Sequence, residues 1–351
     1  MSAAQRPRAT PLGGLFLVLC LSLISTSSAI ADTAAASLPV KVMIVSMFQL
    51  EAAPWLAVLK PLHEIRVPGL PRDFPSVSCT PDAVCQMTTG MGHANAAASI
   101  MAVAFSSSFD LRKTYFIVAG IAGIDPDRGT IGSAAWARYA VDEGIAHEID
   151  ARDMPAGWKD GHFGVLTSSP NQKPKLEYRS EVFRLNEALL QRALALSRTA
   201  ALEDADDVRA YRRRYAAAPA TQPPQVVQCD TLSGDTWWAG PRLEQHARHW
   251  TSLLTDNAGV YCTTQQEDNA TLSALTRAAE AGLVDLQRVA ILRTGSDFDR
   301  PYAGQSSLGS LQAQGKLPGA LRISTSNLVR AAKPLVEDIV LHWDQWQNGV
   351  P

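Results

Sequence analysis

Two patterns of apolar residues alternate along this chain. Nearly continuous runs of strand length, VKVMIVSMF at 40–48, TYFIVAGIAG at 114–123 and VAILRTGSD at 289–297, predict strands covered on both faces. DAVCQMTTG (82–90), GSAAWARYAVDE (132–143), VVQCDTLSGD (226–235) and the start of GVYCTTQQED (259–268) predict further strands. Between them lie stretches with helical character: 50–59, the Ala-rich 92–107, 181–197, the Arg-rich 203–218, 241–254, and 326–346 at the C-terminal end. The proline-rich 218–225 predicts a loop, and 200–225 as a whole an insertion or lid. Strands alternating with helices predict one α/β domain over 40–346, its sheet covered by helices on both faces.

The N-terminus stands apart from this pattern. Arg6 and Arg8 precede GGLFLVLCLSLIS, and Ala29-Ile30-Ala31 then supplies an A-x-A cleavage pattern. That layout predicts a signal peptide over 1–31 and a linker over 32–39, hence a secreted or periplasmic mature protein. No later segment holds the roughly 20 apolar residues a spanning helix needs, so the mature chain is expected to be soluble and unable to form a pore alone. At 46% hydrophobic and 19% charged residues the chain reads as globular. A net charge of −2 gives no basic stripe for nucleic acid. Export permits disulfides among Cys79, Cys85, Cys229 and Cys262. The turn-like Thr80-Pro81-Asp82 favours Cys79 with Cys85, although sequence leaves the connectivity open. With neither CxxC nor HExxH, no metal site is expected.

In such sheets ligands bind beyond the C-terminal ends of strands. Those positions carry Phe48-Gln49-Leu50-Glu51, Thr89-Gly90-Met91-Gly92-His93, Ala119-Gly120-Ile121-Ala122-Gly123, Ser233-Gly234-Asp235-Thr236-Trp237-Trp238, Gln265-Gln266-Glu267-Asp268-Asn269 and Thr294-Gly295-Ser296-Asp297. Glycines allow close backbone approach, acids bind hydroxyls or move protons, and tryptophan offers a flat face for a ring. A ligand with both a polyol and a heteroaromatic ring, a nucleoside, suits that combination. Each piece also has a plainer reading: glycines make turns, paired tryptophans pack in cores, and an Asp after a strand caps a helix. Asp299 reads as such a cap or as a partner of Arg300.

The order of the pieces is more specific. KVMIVSMFQLE, TTGMGHANAAAS, VAGIAGIDPDRGTIGSAAWA, LSGDTWW, TQQEDNA and LRTGSDFDRP together resemble the nucleoside phosphorylase/nucleosidase superfamily, and within it the purine nucleoside permease (NUP) family. The resemblance spans about 40–346 and implies a central mixed twisted sheet flanked by helices. It implies that Asp297 serves the purine leaving group at N7, with Ser296 and Arg293 orienting it. Glu267 then holds the ribose hydroxyls, and Trp237 stacks on the base. Thr89 and Gly90 lie beside the sugar and the nucleophile, Glu51 positions a water or sugar group, and His93 reaches the same place. Gln266 replaces a Met found in many relatives at a sugar contact. The resemblance implies purine nucleosides as ligands, no cofactor, inorganic phosphate as the candidate co-substrate, a membrane transporter as a candidate partner, and a homo-oligomer. The first strand leads to Ser46-Met47-Phe48 with no Asp-Pro-x-Arg turn, so phosphorolysis, hydrolysis and binding without cleavage remain alternatives; Arg112 and Arg128 are the candidates to hold phosphate.

Overall fold

The computed structural model describes residues 37–351; the expected signal peptide and most of the expected linker lie outside the described residues. The framework consists of strand β1 (Val42–Ser46), helix α1 (Gln49–Leu59), β2 (Val84–Thr88), α2 (His93–Ala104), β3 (Tyr115–Ile124), β4 (Tyr139–Asp142), β5 (Asp230–Ser233), α3 (Pro241–Leu254), β6 (Tyr261–Gln265), α4 (Asp268–Glu280), β7 (Val289–Phe298) and α5 (Pro318–Leu341). The strands join one large mixed sheet, as the α/β expectation required.

Strand direction divides the sheet into two sets. β2 runs parallel to β1, β1 to β3 and β3 to β7. β4, β5 and β6 are also mutually parallel. The sets meet where Thr263 and Thr264 of β6 lie antiparallel to Ile124 and Gly123 of β3, and Ala134–Trp136, just before β4, lies antiparallel to β7. Their C-terminal ends therefore converge on one seam.

Alternation within the strands builds the two helix-covered faces. Met43 and Val45 point to a core shared with Ile100 and Val103 of α2 and Leu272 and Leu275 of α4. Val42 and Ile44 point the other way, onto Trp55 of α1 and Leu328, Leu335 and Ile339 of α5. A period of two in β1 thus explains why its run is apolar throughout.

Several boundaries differ from the sequence reading for identifiable reasons. The single strands expected at 132–143 and 226–235 each break in two, in step. Ala134–Trp136 pairs with Val226–Gln228, and then β4 pairs with β5. At the break, Asp230 Oδ1 accepts hydrogen bonds from the amides of Arg138 and Tyr139, and its Oδ2 accepts from Val260. The helix expected from 181 begins at Glu187, because Asn186 Oδ1 caps it by accepting from Ala188 and Leu189; Val182–Arg184 before it is a strand on β4. The helix expected over 203–218 is confined to Asp206–Arg212, and Ala218–Thr221 forms a helical turn where a loop was expected. α5 starts eight residues before the expected 326, with Pro318 at its first position. Within 200–225, Val208, Tyr211, Tyr215 and Ala220 are buried in a core with Phe298 and Ile323.

Disulfides join Cys79 to Cys85 and Cys229 to Cys262. The first links facing residues of adjacent strands six apart in sequence; the second spans 33 residues. In the chain-entropy picture the longer loop restrains the unfolded chain more, about 4 against about 2 kcal/mol. Urea titrations of the Cys229→Ser/Cys262→Ser and Cys79→Ser/Cys85→Ser variants should therefore show a clearly larger stability loss for the first pair.

Candidate functional site

At the seam lies a cavity of about 480 Å3. Most of its lining comes from strand ends and the loops beyond them. Met47, Phe48 and Glu51 come from the β1–α1 corner, and Ile121–Gly123 from the end of β3. Thr264–Glu267 come from the β6–α4 corner, Thr236 and Trp237 from the loop after β5, and Ser296 and Asp297 from β7. Met91 completes one side, and Gln314 and Leu321 close the cavity from the α5 end.

Arg293 organises the floor. It faces Gly120 across the β3–β7 ladder, and a side chain at Gly120 would collide with its guanidinium and crowd Met47 and Glu51. Only 1% of Arg293 is exposed. Its Nη2 donates to Asp268 Oδ1 at 2.6 Å, Glu267 Oε2 at 3.2 Å and Gln265 Oε1 at 3.3 Å. Its Nε donates to Asp268 Oδ2 at 3.2 Å, and its Nη1 to the Ile121 carbonyl at 3.1 Å. Gln265 Oε1 also accepts from the amides of Glu267 and Asp268, holding the first turn of α4.

Glu51 is buried beside this network. Its Oε1 accepts from the Ile121 amide and its Oε2 from the Met47 amide, both at 2.7 Å. Burial raises its pKa to about 7, while Arg293 and the two amides pull in the opposite direction and Glu267 adds to the rise. Glu267 Oε1 accepts from the Gly92 amide at 3.0 Å, linking the α2 end to the same carboxylate.

Asp297 reaches the same cavity through a β-bulge. Gly295 faces Ala122 and Asp297 faces Gly123, so Ser296 is the extra residue. Ser296 Oγ donates to Asp297 Oδ1 at 2.9 Å, and Trp237 Nε1 to Asp297 Oδ2 at 3.4 Å. Burial raises this carboxyl to about 6 against those two hydrogen bonds.

The structure brings Glu51, Trp237, Gln266, Glu267, Arg293, Ser296 and Asp297 to one cavity. It does not bring Thr89, Gly90 or His93 to its lining. Thr89 is fully buried and bonds the Ser46 and Gly90 carbonyls, holding the β2 end to β1. Gly90 takes a φ of +81° at the turn. The His93 amide donates to Asp235 Oδ1 at 2.7 Å, fastening the start of α2 to the loop after β5. Arg293 orients Glu267 and Asp268, not Asp297, with which it makes no hydrogen bond or ion pair. Arg112 pairs with Asp110 on the surface and Arg128 is exposed; neither lines the cavity. Asp299 caps no helix. It is buried, accepts from Tyr261 Oη at 2.8 Å, and lies 4.0 Å from Arg300. The adjacent tryptophans diverge: Trp238 packs in a core, while Trp237 is 55% exposed at the cavity.

Sequence reasoning missed the parts played by Asp268 and Gln265. An acid opening a helix reads as a partner of the helix dipole, which conceals a buried ion pair. Gln314 and Leu321 carried no signal, since nothing in their neighbourhood suggested a strand end.

The family described as purine nucleoside permease (NUP) matches residues 39–351. The chain belongs to that family. A Schizosaccharomyces pombe protein named "Probable purine nucleoside permease" is 41% identical to it over 318 residues, covering 87% of this chain and 90% of that protein. A Candida albicans purine nucleoside permease is 40% identical over 315 residues, 88% of this chain and 77% of its own length. Among solved structures, a 5'-methylthioadenosine/S-adenosylhomocysteine nucleosidase from Helicobacter pylori superposes with a TM-score of 0.54, covering 85% of this chain and 98% of that one at 12% identity. This permease-family chain therefore has the expected nucleoside phosphorylase-like fold.

The raised Asp297 pKa has a sign that can be checked. The native carboxyl keeps its proton up to about pH 6, whereas the unfolded one releases it near its ordinary value of about 4. Between those values the native state binds more protons, so stability falls as pH rises. Asp297→Asn can still accept from Trp237 and donate to Ser296. It should be more stable than the parent by about 2–3 kcal/mol at pH 8 and equal to it below about pH 4. Urea unfolding across that range measures the difference.

Proposed function

We propose that the cavity binds a purine nucleoside and that Asp297 and Glu51 cleave its N-glycosidic bond with water. The observation that carries this reading is the pair of buried carboxyls lining one cavity, Asp297 raised to about 6 and Glu51 to about 7. Both change protonation near neutrality; because Glu51 lies above Asp297, the reacting form, with Asp297 protonated and Glu51 ionised, is the minor of the two singly protonated forms. The relatives' name, purine nucleoside permease, supplies the ligand class.

In this reading the base lies against Trp237 with N7 toward Asp297, and the sugar hydroxyls face Glu267, with Gln266 at the rim. Bond cleavage builds positive charge on the ribose. The C1'–N9 electron pair leaves with the base, which takes the Asp297 proton at N7. Water adds to C1', and Glu51 accepts its proton. Ser296 holds Asp297 in place, and Arg293 fixes Glu267 while offsetting the charge around Glu51.

Hydrolysis is favoured over phosphorolysis by the charge of the walls. Among the described residues lining the cavity, Arg293 is the one cation, and its donors already serve Asp268, Glu267, Gln265 and the Ile121 carbonyl. A phosphate dianion placed there would face Glu51 and Glu267.

The second reading is a nucleoside-binding component of a transport system, favoured by the permease name. No described helix is long and apolar enough to cross a membrane, so this reading requires a membrane partner. Both readings place the protein outside the cytoplasm, supported by the leader pattern at 1–31 and the two disulfides.

Purified protein incubated with inosine, guanosine and adenosine should release free base and ribose at a rate independent of phosphate. Asp297→Asn should lower kcat by about 100-fold or more while leaving nucleoside affinity within a few-fold of the parent. Tight binding without base release by the parent would replace this reading with the transport component. Ribose 1-phosphate formed only with phosphate would assign phosphorolysis.

A further inference from the structure

Away from the seam, a short hairpin of Ala146–Glu148 and His162–Gly164 lies outside the main sheet, against α3. Its second strand and the residues just before it bring His162 and Asp160 to His246 of α3, so that one ligand atom from each lies within 4.8 Å of the others. His246 is 3% exposed and Asp160 7%. We propose that Asp160, His162 and His246 bind a zinc-type divalent ion that fastens this hairpin to α3.

Three observations support a metal rather than an ordinary polar cluster. First, Nε2 of His246 and Nδ1 of His162 are buried without a hydrogen-bond partner among the described residues, and Nδ1 of His246 meets Asp160 alone. Buried polar atoms are nearly always paired, and an imidazole left so is available as a ligand. Second, His246 Nδ1 lies 3.3 Å from Asp160 Oδ1. Donor atoms placed about 2.0–2.1 Å from a tetrahedral zinc are about 3.3 Å apart, so that spacing fits one edge of a zinc site. Third, the surroundings orient the ligands. The His162 amide donates to Asp160 Oδ1 at 3.0 Å, and Glu148 Oε1 lies 3.6 Å from His162 Nε2, the place of the outer carboxylate that commonly steadies a metal-bound imidazole. Two imidazoles and a carboxylate suit zinc among the divalent ions. His162 and His246 also border a cleft of about 330 Å3, which leaves room for a solvent molecule in the fourth position.

The test uses the full mature chain carrying no histidine tag, stripped with a chelator and titrated with Co2+ and then Zn2+. Expected are one Co2+ per chain with the visible bands of a four-coordinate ion, their loss on adding Zn2+, and a rise in Tm of about 4 °C at a hundredfold excess of Zn2+ over its Kd. His246→Ala and His162→Gln should each abolish the bands and the Tm shift. Because His162 is only partly buried, its variant remains informative if His246→Ala fails to fold, with circular dichroism reporting the folded state. Bands that survive in folded His162→Gln overturn the proposal. So does a folded parent chain that shows neither bands nor any Zn2+ effect on Tm; the three residues would then be an ordinary buried histidine–carboxylate contact.

Discussion

The guanidinium of Arg293 sits where the two sets of strands meet, and the order of that region depends on it. It lies on β7, bonds the carbonyl of Ile121 on β3, and reaches Gln265, Glu267 and Asp268 at the β6–α4 corner. A buried charge is tolerated only when its bonding capacity is filled, and here one planar group is filled by partners from both sets. The same cation limits the acids near it. With Asp268 and Glu267 already in ion pairs, Glu51 finds too little positive charge to offset its burial, and its carboxyl titrates near neutrality. A residue that builds the floor thereby conditions the chemistry of the wall.

The direction of the strands explains why the site is where it is. Parallel sets leave their amide-rich loops at C-terminal ends, and two sets pointing at one another place all those loops around one gap. The loops are then tied across the gap: Gly92 to Glu267, His93 to Asp235, Trp237 to Asp297. Side chains that could have served as isolated caps act as cross-links between corners.

Much of this was readable from the chain. Continuous apolar runs located β1, β3 and β7 because both faces of those strands are covered, and the acids beyond them could be collected from that reading alone. α3 matched its expected bounds, 241–254, where a proline opens a strongly amphipathic stretch. Failures came where long-range pairing overrides local pattern. The breaks near Arg138 and Cys229 follow from the carboxylate of Asp230, which binds three amides from other segments. Thr89 and His93 have polar side chains suited to a ligand, yet their bonds tie strand and helix ends together. Asp160, His162 and His246 follow no local spacing rule, since a hairpin and a helix far apart in sequence bring them together.

The bulge at Ser296 has a consequence for how this site is inherited. Along a strand, side chains alternate between faces, so a residue's address is a matter of parity. One inserted residue changes that parity, which lets Ser296 and Asp297 stand side by side on the cavity wall instead of on opposite faces. The acid is thus specified by how many residues precede it in β7 as much as by its own identity. Substitutions can accumulate along that strand without moving the carboxyl, whereas losing a single residue would remove the bulge that sets Ser296 beside it.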